Sequence, residues 1–355
     1  MLQSTAVWGV YGLSIITAFL TFIPFLMLDK KYRLLAPAIA IFVIGGIFYY
    51  GNYRMPESAG FVEGVNLRIV HPNIKQQDKW PAKNWGKNLI TYMGMSDDER
   101  LPGTTHVIWP ETAVIYSLSE EPFRRQLISR VLGKGGNLLT GFPRRMRGQG
   151  RTKIYNSFIA IGDQGEIAGI YDKSHLVPFG EYLPAFIKNI LIPLGLDQVF
   201  PGGQGFNEGE GVKTLNIPGL PPFGVLICYE IIFPGQVVDI KNRPDWLLNI
   251  TNDAWYGNSS GPRQHLLQTR VRAIEEGLPV IRSAGTGMSA VIDPYGRILD
   301  KLPLNRKGVI FSELPNKIST MTYYSLYKEW IFACINVILI IVNIVLMGRF
   351  STIRR

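Results

Sequence analysis

Cysteine is nearly missing from this sequence: of 355 residues only Cys228 and Cys334 carry a thiol, and the second falls inside an apolar run near the C-terminus. A disulfide framework is therefore excluded, while so few cysteines suit a reducing or an oxidising compartment equally well. Histidine is scarce too, with four in the chain. His175 and His265 have no Cys or His partner at metal-ligand spacing, so no metal is expected, and nothing calls for another cofactor. Acidic residues are outnumbered, 27 against 37 Lys and Arg, for a formal charge of +10. The basic residues are scattered, with small clusters at Lys30-Lys31-Tyr32-Arg33, Arg144-Arg145-Met146-Arg147 and Arg354-Arg355. No long basic stripe interleaved with aromatics runs through the chain, so no nucleic acid partner is expected, and Arg144 to Arg147 reads as a solvated loop.

Charge is absent from Met1 to Leu28, and Ala6 to Leu28 is apolar and long enough to cross a bilayer, for which about 20 residues suffice. A cleaved signal peptide would need a basic residue ahead of the apolar core, whereas the first Lys or Arg is Lys30. Leu34 to Tyr53 is again uncharged and ends in Phe48, Tyr49, Tyr50 and Tyr53, a second span with an interfacial aromatic belt. Trp330 to Met347, between Lys328-Glu329 and Arg349, supplies a third. The division expected is a two-helix transmembrane anchor at 1–54, a catalytic domain at 55–328, and a C-terminal transmembrane helix with a basic tail at 329–355. Lys30, Lys31 and Arg33 in the first loop, and Arg349, Arg354 and Arg355 near the C-terminus, resist translocation, and both groups should be cytoplasmic. With three spans, the central domain then lies on the periplasmic side of a bacterial inner membrane.

Between the anchors, short β-branched or aromatic runs alternate with polar, helix-compatible stretches. Strands are expected at Val65 to Val70, His106 to Trp109, Asn137 to Thr140, Asn156 to Ile161, Ile167 to Tyr171, Gly224 to Cys228, Trp246 to Ile250, Val280 to Ser283, Ser289 to Ile292 and Val309 to Phe311. Gly162-Asp163-Gln164-Gly165 and Asp293-Pro294-Tyr295-Gly296 read as hairpin turns. Helices are expected at Lys83 to Tyr92, Pro122 to Leu132 and Gln264 to Glu276. Internal repeats are absent, and the pattern fits one α/β sandwich.

Several reactive residues stand just after an expected strand, where α/β enzymes build their sites. Glu111 follows Trp109-Pro110, Lys173 follows Tyr171-Asp172, and Cys228 ends the apolar run Val225-Leu226-Ile227 ahead of Tyr229-Glu230. Together with Asn252-Asp253-Ala254-Trp255, this ordered set resembles the nitrilase superfamily of carbon-nitrogen hydrolases. Within that superfamily, His175 to Tyr182, Ile227 to Ile231 with Phe233-Pro234, and Gly261-Pro262-Arg263-Gln264-His265 resemble the apolipoprotein N-acyltransferases. That family usually carries a larger bundle of helices before its catalytic domain, where two spans stand here. A shortened membrane region is also similar to that of nitrilase-domain proteins of bacterial conjugal transfer.

The resemblance implies an αββα sandwich flanked by transmembrane helices. It implies a triad with Cys228 as nucleophile, Glu111 as general base and Lys173 as electrostatic partner, supported by Glu181, Tyr229 and Glu230. The stretch Gln76 to Trp80 matches the region that carries a functional tryptophan in the family, which implies substrate binding by Trp80. A free thiol titrates near 8.5, so Cys228 needs help, and a neighbouring ammonium such as Lys173 is expected to lower it. The partners implied are a phospholipid acyl donor, a lipoprotein or small amine acceptor, and the membrane. A membrane-anchored amidase or nitrilase that uses water is one alternative, since the triad alone does not separate transfer from hydrolysis, and a nitrilase-domain component of a conjugal-transfer system is another.

Overall fold

Two helices, α1 (Thr5–Leu26) and α2 (Leu35–Arg54), precede the first strand β1 (Phe61–His71) in the computed structural model, which describes residues 1–97, 106–148, 152–182, 184 and 205–353. A short turn of helix, α3 (Gln76–Lys79), and helix α4 (Ala82–Ser96) lead to β2 (His106–Ile108). Helix α5 (Pro122–Ser129) then leads to β3 (Asn137–Met146), β4 (Lys153–Gly162) and β5 (Ile167–Asp172). The second half runs β6 (Thr214–Leu215), β7 (Phe223–Ile227), β8 (Trp246–Thr251), α6 (Gly261–Glu276), β9 (Val280–Ala284), β10 (Ser289–Ile292), β11 (Ile298–Leu302) and β12 (Gly308–Pro315). Helices α7 (Tyr323–Tyr327) and α8 (Trp330–Ile353) close the chain.

The strands form two six-stranded sheets, ordered β12-β1-β2-β3-β4-β5 and β11-β10-β9-β8-β7-β6. Each has three parallel strands at its centre, β1-β2-β3 and β7-β8-β9, with antiparallel strands outside. Period-two alternation decides the layers. Leu67, Ile69, Ile108, Leu139, Phe158 and Ala160 of the first sheet meet Val225, Ile227, Trp246, Leu248 and Ile250 of the second in one core. Their neighbours face outward: Val107, Leu138, Ile159 and Ile161 pack under α4 and α5, and Leu226, Leu247, Val280 and Ala290 pack under α6. Each such Leu or Ile withdrawn from water contributes at most roughly 1.5–3 kcal/mol. The result is the αββα sandwich that the resemblance implies.

All ten expected strands are present. Strands β6 and β11 were not expected: the first is two residues long, and Asp300-Lys301 interrupts the apolar pattern of the second. Strand β3 also runs on to Met146, so Arg144 and Arg145 belong to a strand and not to a solvated loop. Arg144 Nε donates to Asp172 Oδ1 at 2.9 Å, and its guanidinium lies 5.0 Å from the Tyr155 ring.

Helices α1 and α2 are long and apolar enough to cross a membrane, and only 22% and 17% of their apolar windows is buried. Phe22, Phe25, Ile41, Phe42 and Phe48 stand exposed. A helical hairpin of a soluble core would bury such residues. Helix α8 is 24 residues long, and its stretch Trp330–Ile341 is apolar. The expected tail residues Arg354 and Arg355 lie outside the described residues.

The N-terminal helices are docked on the sandwich. Helix α1 is broken at Gly9, whose φ of 68° is left-handed, and a Cβ there would lie 2.4 Å from the Tyr324 ring, so only glycine fits. The freed N–H of Val10 donates to Glu275 Oε1 at 2.8 Å, and Gln3 Nε2 donates to the carbonyl of Tyr295 at 2.7 Å. Glu275, at the end of α6, is buried beside Arg272.

Candidate active site

Strand β2 stops at Ile108, and Trp109-Pro110-Glu111 continues beside β3 through bonds from Trp109 N to Leu139 O and from Gly141 N to Pro110 O. Residue 141 has to be glycine for this: a Cβ there would come 2.5 Å from Thr112 N and 2.7 Å from Glu111 Cα. The chain turns sharply at Thr112, with φ of 45°, leaving the Glu111 carboxylate buried. Its Oε1 accepts from Asn156 Nδ2 at 2.7 Å, and its Oε2 is buried without a partner among the described residues. An orphaned carboxylate oxygen is an acceptor in waiting.

Cys228 begins a 3₁₀ helix, Cys228–Ile232, directly off the end of β7. Its φ of 54° is left-handed, a conformation that costs a non-glycine residue about 1–2 kcal/mol and that presents the thiol off the end of the strand. Glu230 holds this elbow. Its Oε2 accepts from Ile227 N at 2.7 Å, and its Oε1 accepts from Tyr171 Oη at 2.7 Å, Ser174 N at 2.7 Å, Ser174 Oγ at 2.8 Å and His175 N at 3.2 Å. Glu230 thus ties the Cys228 turn to the segment that follows Lys173, and among the described residues it makes no ion pair with an arginine. Tyr229 is half-buried, edge-on to Phe233 with ring centroids 5.0 Å apart, and Phe233 stacks on His175.

Lys173 follows β5 and is 1% exposed. Its Nζ pairs with Glu181 Oε2 at 2.8 Å. Asn156 donates its second hydrogen to Glu181 Oε1 at 2.8 Å, so one amide spans the two carboxylates. Asn156 shares its face of β4 with Phe158 and Ala160, which point between the sheets. Lys79, on α3, is a second buried lysine, and its Nζ donates to the backbone carbonyl of Glu111 at 2.9 Å. Trp80 follows at once; the residue is 41% exposed, and its ring centroid lies 6.0 Å from Lys79 Nζ.

Below Cys228 lies a third buried set. His265 Nε2 is 3.1 Å from the Cys228 carbonyl oxygen, and its Nδ1 is 2.9 Å from Asp253 Oδ1. Arg282 donates to Asp253 Oδ2 at 2.7 Å. Among the described residues no three His, Cys, Asp or Glu side chains are grouped to hold a metal.

Glu111, Lys173, Lys79 and Cys228 act on one another electrostatically in this pocket. Burial, reinforced by the Glu111 carboxylate, pushes the Cys228 thiol up to about 12 against the pull of Lys173. The expected lowering by Lys173 is therefore outweighed, because desolvation disfavours a thiolate more than one ammonium favours it. Burial also raises the Glu111 carboxyl, opposed by Lys173 and Lys79 and reinforced by Glu181. For Lys173, burial works against the charge, but Glu111, the sulfur and Glu181 together hold its ammonium above the ordinary lysine value. Burial brings Lys79 down to about 8, with Glu111 and Cys228 opposing. The resting site is a neutral thiol beside a raised carboxyl and a firmly charged lysine.

Of the expected site residues, Glu111, Lys173 and Cys228 lie within electrostatic reach of one another, Glu181 pairs with Lys173, Glu230 holds the Cys228 turn, and Tyr229 and Trp80 adjoin Cys228 and Lys79 along the chain. Asn156, Lys79 and the set Asp253, His265 and Arg282 were missed as site residues. Only Asn156 left a usable signal, an amide at a core-facing position of an apolar strand.

The profile of the carbon-nitrogen hydrolase family matches residues 66–323. The chain is similar to the apolipoprotein N-acyltransferase of Rhodopseudomonas palustris, 40% identical over 90% of this chain and 62% of that one. It is similar to the enzyme of the same name from Bradyrhizobium diazoefficiens, 37% identical over 90% and 62%, and to that of Rickettsia prowazekii, 33% identical over 98% and 69%. It thus spans about three-fifths of the length of the first two. A nitrilase-superfamily amidase from Nesterenkonia has a similar fold, with a TM-score of 0.51 at 18% identity over 72% of this chain and 93% of that one.

Proposed function

The chain belongs to the carbon-nitrogen hydrolase family, and we propose that it is a membrane-anchored acyltransferase that moves a fatty acyl group from a phospholipid to an amine through a thioester on Cys228. The observation that carries this reading is the unpartnered Glu111 Oε2 in a pocket shared with Cys228 and a charged Lys173. The likeness to apolipoprotein N-acyltransferases and the two lipid-sized helices support a lipid donor and a lipoprotein or small-amine acceptor. Residues 1–54 and 329–355 form the anchor in this reading, and 55–328 form a catalytic domain on the periplasmic side.

Cys228 Sγ attacks the ester carbonyl of the donor while its proton passes to Glu111 Oε2. The S–C bond forms, and the oxyanion that develops is held by Lys173 Nζ and the backbone N–H of Tyr229. Such a donor is typically worth about 3 kcal/mol. The ester C–O bond then breaks, and the departing alkoxide takes the proton back from Glu111, leaving lysophospholipid and a thioester. An amine attacks the thioester, gives its proton to Glu111, and expels the thiolate, which is reprotonated to close the cycle. A thiol near 12 fits this scheme, because the proton leaves during attack and not before it. Glu181 and Asn156 hold Lys173 and Glu111 in register, Glu230 holds the elbow, and Trp80 lines the approach.

The test is intact-mass analysis of the full chain in detergent after incubation with phospholipid. One acyl group on Cys228, absent from Cys228→Ala and discharged by a peptide with a free amine to give an amide, is the expected result. No adduct in the wild type, with ammonia released from small amides in the absence of lipid, would instead support an anchored amidase.

A further inference from the structure

The peptide bond between Cys228 and Tyr229 carries two functional ends. It is trans, as all described peptide bonds are, so the Cys228 carbonyl and the Tyr229 N–H point in opposite directions along one rigid plane. Whatever fixes the carbonyl also aims the N–H. The carbonyl is met by His265 Nε2 at 3.1 Å, and since a carbonyl has no proton to give, Nε2 must carry it.

The ring has no freedom to turn. His265 is 3% exposed, and its Nδ1 faces Asp253 Oδ1 at 2.9 Å and Arg282 NH2 at 3.1 Å. Asp253 is held in turn by Thr251 Oγ1 at 3.0 Å and by Arg282 at 2.7 Å. Thr251, Asp253 and Arg282 are all buried. Burial, followed by the Arg282 charge, keeps the imidazole below its ordinary value, with Asp253 opposing. The Nε2–H that the carbonyl requires leaves Nδ1 of the neutral ring to accept from Arg282, so Asp253 acts on the ring through the Arg282 guanidinium that it holds and not by a hydrogen bond of its own. This is a large buried polar investment in one backbone carbonyl, and the residue that owns that carbonyl sits at a strained φ of 54°.

We propose that His265 is a positioning residue for acyl transfer: its Nε2–H, braced by Asp253 and Arg282, locks and polarises the Cys228–Tyr229 peptide so that Tyr229 N–H is aimed at the developing oxyanion. The inference rests on the Cys228 acyl-enzyme reading above. It gives the Asn252-Asp253-Ala254-Trp255 and Gly261 to His265 motifs a shared task, one supplying the brace and the other the donor.

Two reactions of the same sulfur separate this role from a structural one. Acylation by p-nitrophenyl acetate passes through an oxyanion, whereas alkylation by iodoacetamide does not. Both are followed by the mass of Cys228 in the full chain in detergent, in a Cys334→Ala background because Cys334 is an exposed thiol. His265→Asn cannot reach the carbonyl, while His265→Gln places an amide N–H close to where Nε2 stood. His265→Asn should slow acylation by about 10–100-fold and alkylation by no more than about twofold, and His265→Gln should recover acylation to within about threefold. Acylation unaffected in His265→Asn, or alkylation falling in step with acylation, overturns the proposal. A wild-type chain that is alkylated but never acylated overturns the acyl-enzyme reading itself and this proposal with it.

Discussion

Lys79 donates a hydrogen bond of 2.9 Å to the backbone carbonyl of Glu111, so a buried ammonium supports the main chain of the proposed general base. Replacing it by methionine keeps the bulk of the stem and leaves a buried carbonyl unpaired. Lys79→Met should destabilise the fold by about 1–3 kcal/mol. It should slow acylation of Cys228 by about tenfold or more, because small displacements of a general base are costly. Denaturant unfolding and a single-turnover acylation assay read the two effects; an unaltered acylation rate would mean that Lys79 only packs.

The pair formed by Lys173 and Glu181 at 2.8 Å is almost dry, with side chains 1% and 12% exposed. Removing one member leaves a charge stranded. Glu181→Ala should cost about 3–5 kcal/mol, measured as a shift of the unfolding midpoint. Glu181→Gln keeps an acceptor for Lys173 and should cost less, so equal losses from the two variants would show that the charge is not what matters.

Glu230 accepts five hydrogen bonds and donates none. Glutamine has only one acceptor oxygen, and its NH₂ would face either Ile227 N–H or the Ser174 donors. Glu230→Gln should therefore destabilise by about 2–4 kcal/mol, close to the cost of leaving buried donors unpaired. It should also loosen the elbow, read as faster iodoacetamide labelling of Cys228; unchanged labelling would mean that the elbow stands without this tie.

Burial raises the Glu275 carboxyl from 4.5 to about 8, with Arg272 opposing. Below pH 4.5 the group is protonated whether folded or not. Between that value and 8 the folded chain holds a proton that the unfolded chain has released, so this residue makes stability fall as pH rises, levelling off above 8. Glu275→Gln keeps an acceptor for Val10 N–H and should flatten the decline of the melting temperature between pH 5 and 8. The same slope in both chains would remove Glu275 as its source.

Layers and strands were legible because a period of two is written directly in runs such as Leu67 to Ile69 and Phe158 to Ala160. Glu111, Lys173 and Cys228 could be picked out as the proposed triad because each sits at a strand exit within a recognisable string. What could not be read was which polar residues are buried. Lys79 looks like any lysine on a short helix, and only tertiary packing of α3 over Glu111 puts its ammonium in the site. Arg282 lies in an apolar run, but its partners Asp253 and His265 are 29 and 17 residues away. The thiol was misjudged for a related reason. The sequence reveals a neighbouring positive charge, whereas the depth of burial that outweighs it appears only once two sheets have closed over the sulfur.

The break in α1 at Gly9 bears on what the two N-terminal helices are. Val10 N–H ends on the buried Glu275, and the Tyr324 ring fills the notch where a Cβ would be. A fragment begun after residue 54 would strip this cover, leaving an acid without its donor and an aromatic face open to water. Helix α1 is therefore part of the sandwich's own wall at that corner and not a leash attached to it, and a chain cut free of it would be a different molecule at the far end of the helix that carries His265.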